Sequence, residues 1–287
     1  FIKMKILVTG GLGFVGSNLV DKLVLDNNTV YVIDNLSSIS SSDSYKNPKA
    51  KYYIKDIRDV MSIKDFPKFD IIYHLAGLAR IQPSFSEPLE YLDVNIMGTS
   101  IICQLAYKYN SKLVYASSSS INNGEYKTPY TFSKWGGEEA LQTWIECYDI
   151  DALICRFYNV YGPREPKIGD YATVIRKFLR QYEEKKPLTI VGDGEQRRDF
   201  THVSDIVNGL IAASSHNNPG KVLHLGRGKN YSINQVVKMF TGSKFVHLPN
   251  RLGEGNITLA DYEETFSLLS WRAVKELEDY IKNIIKS

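Results

Sequence analysis

The feature that most constrains this chain is a glycine-rich turn. Gly10, Gly11, Gly13 and Gly16 lie between a short apolar run at residues 5–8 and a helical pattern of Phe14, Val15, Leu19, Leu23 and Val24. Strand, glycines and helix in that order set the pyrophosphate of a dinucleotide on a helix N-terminus, where free N–H groups and the helix dipole favour an anion. The spacing is G-x-x-G-x-x-G rather than G-x-G-x-x-G, with Gly11 adding flexibility. A second strand at residues 29–33 ends at Asp34, eighteen residues after Gly16. A carboxylate there accepts hydrogen bonds from an adenosine ribose and repels a 2′-phosphate, so the expected cofactor is NAD rather than NADP.

The rest of the chain reads as strands alternating with helices: strands at 51–54, 70–75, 112–117 and 151–156, and long helices at 89–109 and 130–148. Such alternation predicts an α/β fold, a doubly wound parallel sheet of Rossmann type, whose ligands lie beyond the carboxyl ends of the strands. Gly10, Asp34, Asp56, Ala76 and Ser118 all fall there. After residue 157 the pattern loosens into short strands (188–191, 222–225) and helices (171–184, 203–213, 233–240, 272–285). The expected division is an NAD-binding domain at 1–156 and a smaller C-terminal α/β substrate lobe at 157–287, with crossings of the chain back to the first domain.

Composition excludes several classes. A net charge of +3 without any run of basic residues argues against nucleic acid. No apolar stretch approaches the ~18 residues of a membrane span. The first strand begins almost at once, so no signal peptide is expected. Cys103, Cys147 and Cys155 lack metal or disulfide spacing and each sits in an apolar stretch. They are expected to be buried thiols in a reducing compartment, which points to the cytoplasm and to no bound metal.

Tyr130 and Lys134 stand one helical turn apart, with Pro129 positioned to start their helix. A tyrosine is a poor base near neutrality, because its ordinary pKa is about 10. A lysine ammonium on the same face, with a positively charged nicotinamide nearby, favours the phenolate. Residues 116–120 are an alanine and four serines at the end of the preceding strand, able to bring a hydroxyl to the same substrate oxygen.

These segments resemble the extended short-chain dehydrogenase/reductases, and within them the NAD-dependent nucleotide-sugar epimerases and dehydratases. The resemblance also takes in 56–59, 74–77, 95–99, 156–164, 192–200 with His202 and Asp205, and 251–254 before Asp261. It implies that Thr9, Gly10, Leu12, Gly13, Phe14, Val15 and Gly16 wrap the cofactor's pyrophosphate. Asp34, Asn35 and Ser38 would hold the adenosine ribose side, and Asp56 and Ile57 the adenine. Leu75, Ala76, Gly77 and Ala79 would line its far side with Asn95, and Lys134 would reach the nicotinamide ribose. Asn159, Arg198 and Arg251 would hold a nucleotide-sugar diphosphate, and Glu254 its nucleoside ribose, with Ser84 and Thr258 also on the substrate side. Guanidinium forks suit phosphate oxygens.

Aligned with the family, Ser118 is the catalytic hydroxyl beside Tyr130 and Lys134. The two residues after it are Ser119 and Ser120, neither the acid and base of a dehydratase, nor the glutamate of a decarboxylase, nor the cysteine of a C3/C5 epimerase. The reaction left is 4-epimerization of a UDP-sugar through a 4-keto intermediate. The alternatives are a reductase or dehydrogenase of the same fold and a non-catalytic NAD-binding protein. Two departures from the family stand out: Asn122-Asn123 replaces Tyr-Gly, and the 118–130 segment is short. Either the lid over the sugar is reduced or a loop is missing from the sequence.

The helices at 89–109 and 130–148 are expected to pair two copies into a homodimer. Leu92, Ile96, Ile102, Leu105 and Tyr109 supply more apolar surface than one face requires. In the family, the position held here by Thr258 gates the space beside the sugar C2 substituent. A small residue there predicts that N-acetyl sugars enter alongside glucose and galactose.

Overall fold

The computed structural model describes residues 3–37, 42–167, 169 and 172–286. Its first part runs β1 (Lys5–Thr9), α1 (Phe14–Leu25), β2 (Thr29–Asp34), β3 (Lys51–Ile54), β4 (Ile71–His74), α2 (Ile81–Ser86) and α3 (Pro88–Leu92). A π turn (Asp93–Met97), α4 (Gly98–Tyr109), β5 (Lys112–Ser118), a 3-10 turn (Ser119–Asn123), α5 (Pro129–Tyr148) and β6 (Ala152–Phe157) follow. Next come β7 (Val160–Tyr161), α6 (Val174–Glu183), β8 (Leu188–Val191), β9 (Arg197–Asp199), β10 (Thr201–His202) and α7 (Val203–Ser214). The chain finishes with β11 (Val222–Leu225), β12 (Asn230–Ser232), α8 (Ile233–Met239), β13 (Phe245–Leu248), α9 (Glu263–Leu269) and α10 (Leu277–Lys286).

Seven strands form one sheet in the order β11-β6-β5-β4-β1-β2-β3, every pairing parallel. Winding runs outward from β1 in one direction and from β4 in the other, so a crevice opens beyond the carboxyl ends of these two strands. Their apolar runs are buried because helices cover both faces. On one side Leu19, Val20 and Leu23 of α1 meet Ile206, Val207 and Leu210 of α7 over Ile6, Val8 and Val30. On the other, Ile102 and Leu105 of α4 and Leu141 of α5 pack over Leu7, Ile72 and Leu113. A second core lies outside the sheet, where Tyr161, Phe178, Leu188, Phe200, Val236, Phe240 and Ile281 converge.

Several elements differ from the sequence expectation for local reasons. The helix read at 89–109 is interrupted by the π turn, where the amide of Asn95 leaves the helix surface to bond both backbone groups of Leu78. The strand at 222–225 is the seventh strand of the main sheet, beside β6. The last helix starts only at Leu277, not near 272, because Val274 N and Lys275 N donate to the Asp205 carboxylate and hold that stretch extended. Residue 171, expected to open a helix, lies outside the described residues; α6 begins at Val174, with the Thr173 hydroxyl capping it by accepting from Arg176 N.

Cys103 and Cys155 are buried as expected, but Cys147 is exposed, because it lies on the outer side of the last turn of α5. Of the apolar residues assigned to pairing, Ile102 and Leu105 belong to the core, while Leu92, Ile96 and Tyr109 are half-buried. The exposed apolar surface of these helices is Leu89, Met97, Tyr107 and Tyr148 instead. Among the described residues, no helix is long and apolar enough to cross a membrane, and no cluster of side chains could hold a metal ion.

Candidate active site

The glycine turn is built by close approach. Gly10 has φ +69°, and a Cβ on it would lie 2.7 Å from Ala76 N. A Cβ on Gly16 would lie 2.1 Å from Gly10 O, so α1 meets β1 at a distance only glycine permits. No side chain caps the first turn of α1, whose N-cap is Gly13. An uncapped helix N-terminus opening on a cavity suits an anion.

Behind this turn runs a buried polar chain. Thr99 Oγ1 donates to Asn95 O (2.6 Å), so it must accept from His74 Nε2 (3.1 Å). That fixes His74 Nδ1 as the acceptor of Thr9 Oγ1 (2.8 Å), and Thr9 Oγ1 in turn accepts from Ala76 N (3.1 Å). Burial and the nearby Lys134 charge hold the His74 imidazole down to a pKa of about 3, keeping it neutral. Thr9 and the fully buried Leu12 therefore shape the turn from behind it.

At the end of β2, Asp34 accepts from Leu12 N (3.0 Å) through one oxygen and from Leu36 N (2.8 Å) through the other. Each oxygen keeps a lone pair for a diol. Asp56 is different. Its oxygens accept from Arg58 N, Nε and Nη2 and from Asn35 Nδ2, all between 2.8 and 2.9 Å, which holds its carboxyl below the usual range. That is a full complement for a carboxylate, so Asp56 braces the cavity wall. Ser38 lies outside the described residues.

Gly10, Gly13, Phe14, Val15, Gly16, Asp34, Asn35, Asp56, Ile57, Leu75, Ala76, Gly77 and Ala79 line one cavity of about 750 Å³. The same cavity continues past Ser118, Tyr130 and Lys134 to Asn159, Arg198, Arg251, Glu254 and Thr258. Asn95 and Ser84 lie behind the wall. Asn95 ties Leu78 to Ser133 Oγ (2.8 Å) on the first turn of α5, and the buried Ser84 donates to Ile81 O (2.6 Å).

Thr128 caps α5, its hydroxyl accepting from Thr131 N (3.0 Å), and Pro129 opens the helix as expected. Tyr130 and Lys134 thus share a face beside the end of β5. Burial pushes Tyr130 up, while its hydrogen bond with Ser118 and the charge of Arg80 pull against that rise; the expected depression rests on Lys134 acting together with the nicotinamide charge. Lys134 Nζ donates to Ala116 O (2.6 Å) and lies 4.6 Å from the Tyr115 ring centroid. Burial pulls its pKa down to about 8.

Toward the other end, Arg198 is largely buried, with Glu254 at 3.7 Å, and desolvation lowers its pKa. Asn159 donates to Asp199 O (2.9 Å) and to Thr258 Oγ1 (2.8 Å), and the same hydroxyl accepts from Asp199 N (3.1 Å). The short 118–130 segment is closed off from the far side. A Cβ on Gly253 would lie 2.5 Å from Thr128, and one on Gly255 would lie 2.7 Å from Asn123. Gln82 Nε2 also donates to Leu252 O (2.9 Å).

Cavity residues that the sequence did not single out include Arg80, Lys177 and Gln196. Arg80 has φ +100°, unusual for a residue with a side chain. A basic residue in a loop carries no sequence signal of this kind.

Residues 6–226 match the profile of the NAD dependent epimerase/dehydratase family. The chain belongs to this family. It is 32% identical to the putative UDP-glucose 4-epimerase of Methanocaldococcus jannaschii, over 98% of this chain and 97% of that protein. The UDP-glucose 4-epimerase of Thermotoga maritima, solved with UDP-glucose, superposes with a TM-score of 0.92 at 29% identity, covering 99% of this chain and 98% of that one. The UDP-glucuronic acid 4-epimerase of Bacillus cereus, solved with UDP-glucuronic acid and NAD, superposes with a TM-score of 0.87 at 27% identity and 99% coverage of both chains. The cofactor of the family is NAD, and the glycine cradle, the uncapped helix and the available lone pairs of Asp34 fit it.

Proposed function

We propose that the protein is a UDP-sugar 4-epimerase. One observation carries the reading: Ser118, Tyr130 and Lys134 share a single cavity with the glycine turn at one end and with Arg198 and Arg251 at the other. Bound at the turn, NAD would supply reversible oxidation at the sugar C4. Tyr130 takes the proton of the C4 hydroxyl and returns it, and Ser118 holds the same oxygen. Lys134 supports the phenolate and the nicotinamide ribose, while Arg198 and Arg251 grip the diphosphate. Ser119 and Ser120 offer no acid or base for elimination, which supports epimerization over dehydration. Residues 1–156 would carry the cofactor and 157–287 the sugar nucleotide.

The expected substrates are UDP-glucose, UDP-galactose and their N-acetyl forms, with Thr258 leaving room at C2. A second reading is favoured by Arg80, whose charge acts on both Tyr130 and the buried Glu165. A cation acting at Tyr130 suits a sugar that carries a carboxylate, as in the substrate of the Bacillus cereus relative. Pairing of two copies through α4 and α5 would cover Met97, Tyr107 and Tyr148, each about half exposed. The free thiols Cys103, Cys147 and Cys155 suit a reducing cytoplasm.

The test is incubation of the purified protein with UDP-glucose, UDP-galactose, their N-acetyl forms and UDP-glucuronate, with NMR identification of the products. Inversion at C4 with retained NAD supports the proposal. A stoichiometric need for added NAD(P)H would assign a reductase, and no conversion would leave an NAD-binding protein.

A further inference from the structure

The Asn122-Asn123 departure proves to be held from below. We propose that the Glu138–Arg156 ion pair is a clamp that positions Ser118, with Asn122 as its outer hold. The inference rests on the reading of Ser118 as the hydroxyl that meets the sugar oxygen.

Glu138 stands one helical turn beyond Lys134, and its side chain is 6% exposed. Its Oε1 accepts from Ser117 Oγ (2.5 Å) and Arg156 Nε (2.9 Å), and its Oε2 accepts from Arg156 Nη2 (2.6 Å). The fork leaves Arg156 Nη1 to donate to Asn122 Oδ1 (2.8 Å). Asn122 Nδ2 donates to Tyr158 Oη (2.8 Å), which meets His224 Nδ1 of β11 at 2.7 Å. One ion pair thus grips residues 117 and 122, on either side of Ser118.

Why a clamp is needed follows from the Ser118 hydroxyl itself. It accepts from Ser120 N (3.2 Å) and lies 3.0 Å from Ser120 Oγ, so it has local partners that do not involve Tyr130. A turn tied at both ends keeps that local capping from drawing the hydroxyl away from the phenol. Asn122 and Arg156 are positioning residues in this scheme, since neither lines the cavity. Removing either partner of the buried pair would destabilise the fold. Asn122 is exposed, so its loss leaves the ion pair in place, and the buried Tyr158 hydroxyl keeps its partner His224.

The experiment is a double-mutant cycle on whichever sugar the wild type epimerises. Ser118→Ala should lower kcat by roughly 10²–10³-fold, on the scale of a lost transition-state hydrogen bond. Asn122→Ala should lower kcat by about ten- to a hundredfold with KM and NAD affinity nearly unchanged. Added to Ser118→Ala it should do nothing further. Arg156→Lys keeps the charge but loses the fork, and should match Asn122→Ala without adding to it. An unchanged kcat in Asn122→Ala, or effects that multiply with Ser118→Ala, would overturn the clamp. A crystal structure of Asn122→Ala gives a readout independent of substrate. Ser118 turned away from Tyr130 supports the clamp, and an unmoved Ser118 rejects it. Absence of turnover by the wild type would reject the epimerase reading alone.

Discussion

Thr258 was expected to gate the sugar, yet its hydroxyl also staples the wall of the site, accepting from Asn159 Nδ2 at 2.8 Å and Asp199 N at 3.1 Å. The two roles separate in a series of Ser, Val and Tyr variants. Thr258→Val keeps the shape and removes the acceptor, leaving the N–H of the buried Asp199 without that partner. A stranded buried donor costs about 1–3 kcal/mol, which in a protein of this size lowers Tm by roughly 2–5 °C. Thr258→Ser should stay within about 1 kcal/mol of the wild type, because it keeps the hydroxyl and loses one methyl. Thr258→Tyr should match the Val variant in stability, lose turnover of the N-acetyl sugars and largely spare UDP-glucose. The assays are scanning calorimetry with NAD and NMR-detected turnover of UDP-glucose and UDP-N-acetylglucosamine. A Val variant as stable as the wild type would refute the staple. Equal loss of both sugars in the Tyr variant, beyond the loss seen with Val, would refute the gate.

Tyr130→Phe is expected to bind NAD normally by titration and to lose turnover by orders of magnitude; near-normal turnover would remove it as the proton acceptor. Asp34→Ala should weaken NAD far more than NADP in parallel titrations, although the loss of acceptors for Leu12 N and Leu36 N loosens the turn for both. Equal losses would reject the ribose assignment. His74, held near 3 in the fold, titrates at its ordinary 6.5 once unfolded. Between those values the unfolded chain binds a proton that the folded one refuses, so stability is lost as pH falls below about 6.5. Replacement by Gln should flatten the fall of Tm with pH over that window, and an unaltered slope would show that His74 is not the group responsible.

The cofactor half of the site was legible in the sequence because its parts are local. Gly10, Gly13 and Gly16 fall within one turn, Asp34 ends the next strand, and both positions follow from strand-turn-helix spacing. Tyr130 and Lys134 were legible for the same reason, as one turn of a helix started by Pro129. The burial that acts on both was not, since it is a property of what packs around them; it raises the phenol and lowers the lysine. Arg80 escaped notice because its importance comes from a left-handed backbone that opens α2 and from neighbours at Tyr130 and Glu165, far along the chain. The π turn at Asn95 was hidden too: the resemblance set this asparagine beside the cofactor, whereas its partners Leu78 and Ser133 meet it only in the fold. Cys147 misled because its stretch is apolar, while its particular face of α5 is not buried.

The placement of β11 bears on how the molecule can be made. Until residue 225 has emerged from the ribosome, β6 presents a bare edge of unpaired N–H and C=O groups, the kind of edge that recruits strands from other chains. The same late segment brings α7, which packs with α1 over Ile6, Val8 and Val30, so one face of the cradle strands stays uncovered until it arrives. Splitting the gene near residue 157 should therefore give an N-terminal fragment that aggregates through the β6 edge and the sheet face bared by the loss of α7. Co-expression of the second half would rescue it by delivering both the missing strand and the covering helix.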